Sequence, residues 1–371
     1  MANTFVTLKT IARQALPRLI DNLVFPNLVH RDFSEDFHDL GDTIRVRRPV
    51  ILAAAEFDAA NGVNYQDIQE DAVEVKLDHL ATVDAMASAI ETATGIDDLN
   101  RVFVEPAAAA LAEKINSDGL KLYADIPTVT GTAGTTPSAL SDLAAARRAL
   151  NVNKVPGFGR VAVWDPEADT AFAQIPAIVN AEKSGSTEAL REGSIGRVFG
   201  MEHFMSQGVK KHVTGITAAT AVKVNGAVSA GAAQLAIDGT SLTGKLVKGD
   251  VLKIGGRSFV VTEDTASASN NAIAAVKVYP ALPQIADNAD VTLVGSHTAN
   301  LAFHPMAFAY VTRPLLNPDG QGVASYVTSY NGISLRVTKG YDQRYKRSVY
   351  SMDVLYGFKT VYPELAVRVL G

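Results

Sequence analysis

Apolar residues first recur at helical spacing between Thr7 and Val29, where Leu8, Ile11, Ala15 and Leu19 fall on one face. Pro17 and Pro26 interrupt the stretch, so the pattern predicts a short, broken helix with little core of its own. Such a segment can lie on its own domain or dock on a neighbouring molecule, and its residues favour neither. The period then changes to two. Ile44 and Val46 alternate with Arg45 and Arg47; Val73, Val75 and Leu77 alternate with Glu74, Lys76 and Asp78. Two half-buried strands, 44–50 and 73–79, are expected. Between them runs a long polar loop, Glu56 to Asp71, and a loop of that length on a strand pair is often functional. One side of this element is basic (Arg45, Arg47, Arg48), whereas its tip and return are acidic (Glu56, Asp58, Asp67, Glu70, Asp71). These eight residues are candidate contacts to another copy of the chain, set against the simpler reading of a solvated hairpin.

Helical periodicity returns at Val104, Ala108, Leu111, Ile115 and Leu122, with Lys114 and Asp118 able to pair across one turn. Pro106 suits a first turn, and the helix should end near Tyr123, before Pro127. A second helix is expected after Thr136-Pro137-Ser138, carrying Leu140, Leu143, Ala146 and Leu150. Val161 to Trp164 reads as a buried strand. Asp165-Pro166-Glu167 is a helix start, with an acidic cap, proline in the first turn and a carboxylate at the positive helix end. Lys183 to Gly200 reads as a glycine- and serine-rich loop.

From about Val213 to His297 the pattern consists of short strands: 222–224, 234–237, 250–254, 258–261, 275–278 and 290–294, punctuated by Asn225-Gly226, Asp238-Gly239 and Gly255-Gly256. Strands at this spacing predict a small barrel or sandwich cored by Val, Ile, Leu and Ala. Leu301 to Ala309 resumes the earlier mixed pattern. Near the end, Ile333, Leu335 and Val337 alternate with Ser334, Arg336 and Thr338, and Leu365, Val367 and Val369 with Ala366 and Arg368. The strand-rich stretch therefore reads as an insertion within a larger α+β unit.

Composition adds limits. The 371 residues are 47% hydrophobic and 20% charged, enough for more than one core. A net charge of −5 confines any nucleic-acid contact to a local patch. There is no cysteine, hence no disulfide and no thiolate metal site. Neither a signal peptide nor an apolar run of membrane-spanning length is visible, so no membrane association is expected. Motifs for chemistry are missing. Gly244-Lys245 is followed by Leu246, which breaks a phosphate-loop pattern, and Gly157-Phe-Gly159-Arg-Val-Ala162 precedes its strand where a dinucleotide fingerprint would follow one. The seven histidines (30, 38, 79, 203, 212, 297 and 304) show no metal-binding spacing. Asp97-Asp98 and Glu70-Asp71 read as a helix start and a solvated loop. No catalytic residue, metal ligand or cofactor is expected. One basic cluster stands out: Arg336, Lys339, Arg344, Lys346 and Arg347, with Tyr341 and Tyr345 interleaved. It could face DNA through phosphate contacts, meet the acidic loop of a neighbour, or be a solvated strand face, the simplest of the three.

The strings Ile11-Ala12-Arg13-Gln14-Ala15-Leu16, Asn22-Leu23-Val24, His30-Arg31-Asp32 and Gly41 to Val46 resemble the start of P-22-type phage coat proteins. So do Asn300 to Phe308 with Arg313-Pro314-Leu315, and Leu355 to Lys359 with Pro363-Glu364-Leu365-Ala-Val-Arg368. Each string is moderately specific; their order along nearly the whole chain makes the likeness. The resemblance implies an α+β chain of the HK-97 capsid fold, with an N-terminal arm (1–33), an extended β-hairpin loop (34–95), a peripheral and axial core with C-terminal strands (96–212 plus 298–371) and an inserted all-β barrel-like domain (213–297). The helix near 104–123 would be the spine of the peripheral domain. The implied role is that of a structural major capsid protein, not an enzyme, that self-assembles through hexamers and pentamers into the icosahedral head of a tailed bacteriophage around double-stranded DNA. It would act in the virion after assembly in the host bacterial cytoplasm. The type member's long N-terminal scaffolding region has no counterpart ahead of the arm, so assembly would use a separate scaffold protein, or none; portal and decoration proteins are further possible partners. The alternatives are the shell of an encapsulating nanocompartment and, more distantly, a soluble α/β enzyme with a β accessory domain.

Overall fold

The computed structural model describes residues 8–31, 43–47, 72–88, 104–180, 191–317, 323–330 and 332–371. The chain divides into two compact units. One gathers Met1–Arg13, Arg31–Gly95 and Ala309–Val361; the other gathers Gln14–His30, Ile96–Phe308 and Tyr362–Gly371.

Helix α1 (Leu8–Asn22) runs unbroken through Pro17, and the chain turns only before the short helix α2 (Phe25–Leu28), which carries Pro26 in its first turn. The expected break at Pro17 is therefore absent. Proline removes one backbone hydrogen bond, but Ile11, Ala15 and Leu19 on the apolar face are fully buried, and that burial holds the helix together across the gap. Residues 14–30 belong to the second unit and pack on it. Asn116, in helix α3 (Glu105–Leu120), accepts from the backbone N–H of Val24 (3.0 Å) and Phe25 (3.1 Å) and donates to Asn22 O (3.0 Å). The Phe25 ring lies 5.6 and 5.5 Å from those of Phe303 and Phe308. α3 has the expected proline in its first turn, and Lys114 pairs with Asp118 at 2.9 Å, joined by Lys121 at 2.7 Å. The helix gives way to a 3-10 turn over Lys121–Asp125.

In the first unit, β1 (Thr43–Arg47) and β2 (Ala72–Lys76) pair antiparallel as the alternation predicts, with Ile44 opposite Val75 and Val46 opposite Val73. The long loop between them lies outside the described residues. A second sheet holds β3 (His79–Ser88), flanking β19 (Arg347–Thr360), and continues through β18 (Ile333–Asp342) to β17 (Ala324–Tyr330); β16 (Phe308–Arg313) also pairs with β19.

The second unit is built on a mixed seven-stranded sheet. Its order is β4 (Val129–Gly131), β20 (Ala366–Leu370), β15 (His297–Phe303), β5 (Arg160–Trp164), β7 (Met201–Met205) and β6 (Arg197–Val198), with β8 (Lys211–His212) pairing the start of β15. Helix α4 (Leu140–Val152) lays Leu143, Ala146 and Leu150 on this sheet against Ala162, Trp164, Val367 and Val369. Asp165 caps helix α5 (Pro166–Ala173) by accepting from Glu167 N–H (3.3 Å), as its sequence predicts. The Trp164 indole donates to His203 Nδ1 (2.9 Å) beneath Phe172, and a one-turn helix α6 (Pro176–Val179) adds Ile178. Arg160 closes the glycine-rich loop before β5, donating to Val155 O (2.6 Å), Pro156 O (2.7 Å) and Asn151 Oδ1 (2.8 Å). That loop thus links α4 to β5 and lies ahead of its strand.

Strands β9 (Ile216–Val224), β10 (Gln234–Gly244), β11 (Val251–Ile254), β12 (Arg257–Val261), β13 (Ala272–Tyr279) and β14 (Val291–Leu293) make an antiparallel sheet in the order 14-11-12-13-10-9. Each of the six predicted strands in 213–297 is present. Its two edges meet: Lys223 bridges Asp290, Val224 N–H donates to Ala289 O (2.9 Å) and Asn288 N–H to Val224 O (2.9 Å). Val224, Ile237, Leu252, Phe259, Val261 and Val276 lie in its own buried core, which is almost entirely aliphatic as expected. The segment departs from β8 and returns at β15, where His212 and His297 are directly paired.

Candidate interaction surface and a buried polar node

Two groups of polar side chains stand out, one at the surface and one buried. The surface group lies at the end of the β18–β19 hairpin, where Asp342 faces Arg347 across the strands and residues 343–346 form the turn. Asp342 Oδ1 accepts from the backbone N–H of Arg344 (2.9 Å) and Tyr345 (3.3 Å), which fixes the turn and turns this carboxylate toward the backbone. Lys346 sits at φ +51°, the left-handed conformation that closes it. Arg344, Lys346 and Arg347 are exposed, as are Tyr341 and Tyr345. The Arg344 and Arg347 guanidiniums lie 5.5 and 6.0 Å from the Tyr345 ring centroid, and Lys339 Nζ is 5.3 Å from that of Tyr350. Among the described residues none of these four cations has a carboxylate partner.

Arg336, the fifth residue of the predicted cluster, is placed differently. It donates through Nε (2.9 Å) and Nη2 (2.7 Å) to Oδ2 of the buried Asp353 and through Nη1 to Leu316 O (3.0 Å). The expected strand-face cluster is thus brought together only in part, with Arg336 committed inside the sheet and the others at or near the tip. Of the loop candidates, Arg45 and Arg47 lie in β1, opposite Glu74 and Ala72 in register. Arg48, Glu56, Asp58, Asp67, Glu70 and Asp71 lie outside the described residues.

The buried node joins the six-stranded sheet to the seven-stranded one. Arg368, fully buried in β20, donates through Nη1 to Gly249 O (2.8 Å) and through Nη2 to Tyr123 O (2.6 Å) and Ile126 O (3.2 Å). Its guanidinium carbon is 5.0 Å from the Tyr123 ring centroid. The Tyr123 hydroxyl meets His212 Nδ1 at 3.1 Å, and His212 Nε2 meets Asp250 Oδ1 at 2.8 Å. If Nε2–H donates to the carboxylate, Nδ1 is free to accept from the phenol, so one tautomer satisfies all three groups. Asp250 Oδ2 accepts from Val247 N–H (2.8 Å), and Lys248 pairs with Asp125 at 2.9 Å. His297 packs beside His212, with ring centroids 5.2 Å apart, and its Nδ1 meets Gly295 O at 2.8 Å. Burial holds the His297 imidazole down to about 4 and lowers Arg368 to about 10, so at neutral pH the histidine is neutral and the arginine charged. Burial raises the Tyr123 phenol, which therefore keeps its proton. A tyrosine, a histidine and a carboxylate in line can serve proton transfer, but here each is occupied in closing a junction, and His212 and Asp250 are only 3% and 2% exposed. Val251, Val260 and Val294 pack with Leu370 and Val129 beside the node.

Sequence reasoning missed the node. The alternation of Leu365, Val367 and Val369 with Ala366 and Arg368 gives no sign that all five residues of β20 are buried, which follows from the strand's place between β4 and β15. Sequence reasoning also read the histidines singly, and the β8–β15 pairing brings two of them together. Among the described residues no cluster of His, Asp or Glu could hold a metal ion, and no helix is long and apolar enough to cross a membrane.

Comparison with known proteins places the fold. No known family profile matches the chain, and no curated protein matches it in sequence. Among solved structures, a chain of Mycobacterium phage Che8 superimposes with a TM-score of 0.54 at 17% identity, over 94% of this chain and 90% of that one. The chain shares its fold with that phage chain. A chain from the capsid of Cyanophage P-SCSP1u (TM-score 0.46, 12% identity, 89% and 83% covered) and one from a virus-like particle of Pyrococcus furiosus (0.42, 10%, 98% and 98%) also match, at scores too low to carry an argument.

Proposed function

We propose that this chain is the major capsid protein of a tailed bacteriophage, a structural subunit that self-assembles through hexamers and pentamers into an icosahedral head enclosing double-stranded DNA. The observation that carries the reading is the shared fold with a phage chain over nearly all of both chains, in line with the order of the phage-coat-like strings along the sequence. Assembly in the host cytoplasm with a separate scaffold protein, and contacts to portal or decoration proteins, belong to the same reading. So does its division of the chain: an arm over 1–33, an extended loop over 34–95, a capsid core over 96–212 plus 298–371, and an inserted all-β domain over 213–297. The six-stranded sheet with bridged edges and its own core supports the last of these. The eight charged residues of the loop remain proposed contacts between copies.

Size-exclusion chromatography and negative-stain electron microscopy test this, on the chain expressed alone and with any neighbouring scaffold gene. Closed shells hundreds of ångströms across are expected under at least one condition. A persistent monomer or small oligomer under both would overturn the reading.

A further inference from the structure

We propose that the tip of the β18–β19 hairpin is a phosphate-contact site for duplex DNA, formed by Arg344, Lys346 and Arg347 around Tyr345. The proposal deepens the shell reading and takes its biological setting from it. Three cations crowd a four-residue turn and its first strand residue on a chain whose net charge is −5. Asp342, opposite Arg347 in register, spends one carboxylate oxygen on two backbone N–H groups, and no carboxylate pairs with any of the three among the described residues. Their donors are thus available to an outside acceptor. Both arginines are held against the Tyr345 ring, which reduces the ordering needed on binding.

An acidic protein surface is the competing partner. A stable protein–protein contact buries roughly 800 Å² on each side, far more than a narrow turn presents by itself. A DNA backbone needs no shaped counterpart: its phosphates recur along the duplex, and arginine and lysine meet them as they come. Arg336 takes no part, since Asp353 holds it.

The test measures binding of full-length subunits, dispersed at low concentration, to a fluorescent 30-base-pair duplex over a salt series. The variant is Arg344→Gln/Lys346→Gln/Arg347→Gln. A charge-matched control, Arg147→Gln/Arg148→Gln/Arg257→Gln, changes exposed residues elsewhere. Salt-dependent binding by the natural chain is expected. The tip variant should bind roughly tenfold or more weakly at low salt, with a log–log salt slope shallower by about 2 to 3, whereas the control should keep most of both. Should the triple variant misfold by circular dichroism, Lys346→Glu alone should still weaken binding; unchanged binding would count against the site. Absence of binding by the natural chain, or equal losses in tip variant and control, would overturn the proposal. So would a tip variant that binds DNA normally but no longer forms shells, because that places another copy at the tip. A chain that forms no shell yet binds DNA through the tip would sink the shell reading and leave the site standing.

Discussion

At the residue scale Arg368 is a fully buried cation held by backbone carbonyls. Three carbonyls, Gly249, Tyr123 and Ile126, face its guanidinium, and its Nε has no partner among the described residues. Removing one member of a buried charged network leaves the others desolvated and unmatched. Arg368→Met keeps much of the volume but strands those acceptors and leaves Asp250 without its nearby cation. It is expected to lower unfolding stability by about 3 to 5 kcal/mol in urea denaturation; a loss under 1 kcal/mol would show that the node contributes little. Gly249 is fixed by the same geometry. It lies at φ +95°, and a Cβ there would sit 3.0 Å from the Ala124 Cβ and 3.3 Å from the His212 ring.

His297 gives the node a pH dependence with a definite sign. Its folded value of about 4 lies below the ordinary 6.5, so the unfolded chain binds the extra proton first. The contribution is complete above about pH 6.5 and is lost as the pH falls toward 4, about 3 kcal/mol in all at 1.36 kcal/mol per pH unit. Protonation would place a new cation beside Arg368, with His212 also in contact and only Asp250 opposing. Midpoints of urea unfolding between pH 4 and 7 should fall steeply on acidification in the natural chain and less steeply in His297→Gln. Parallel slopes would assign the acid sensitivity to other groups.

At the element scale, helix α1 shows where local rules yield. A proline in a helix interior costs about 3 kcal/mol relative to alanine, and the pattern accordingly predicts a break at Pro17. Burial of the apolar face on both sides outweighs that loss, and the turn falls instead at Leu23–Val24, where the Asn116 side chain receives the freed backbone. Pro17→Ala should therefore raise the thermal midpoint by several degrees, since it restores a hydrogen bond in an intact helix. A lower midpoint would mean that the proline shapes a contact of the assembled state. Elements with strong local signals were legible: the α3 stripe with its Lys114–Asp118 pair, the Asp165 cap, the β1–β2 alternation and the six strands from β9 to β14. β3 and the 14-residue β19 carry mixed sequences, and only their pairing with each other and with β18 makes them strands. The same limit applies to the tip. Sequence put five cations in one cluster, but the sheet register, which sequence does not display, sends Arg336 to Asp353 and leaves the others near the turn.

At the scale of the whole molecule, the segment between β8 and β15 can be separated in topology while being coupled in energy. His212 and His297 are adjacent partners, so residues 213–296 could be replaced by an Asn-Gly turn with no strain on the sheet. The sheet's own core would leave with it. What remains would be damaged at the junction: Leu370 and Val129 would lose Val251, Val260 and Val294, Arg368 would lose Gly249 O and the Asp250 charge, and His212 and Asp125 would lose Asp250 and Lys248. The deletion alone should therefore give a poorly soluble or markedly less stable chain. The deletion combined with Arg368→Met should recover part of that stability, because it removes a cation that has lost Gly249 O and the Asp250 charge and keeps only Tyr123 O and Ile126 O. This is a double-mutant cycle: Arg368→Met destabilises the full chain but should stabilise the shortened one, and a coupling of 2 kcal/mol or more in urea unfolding is expected. Additive effects would mean that the inserted sheet and the strand under it are stable independently, and that the Tyr123–His212–Asp250–Arg368 node serves something other than their junction.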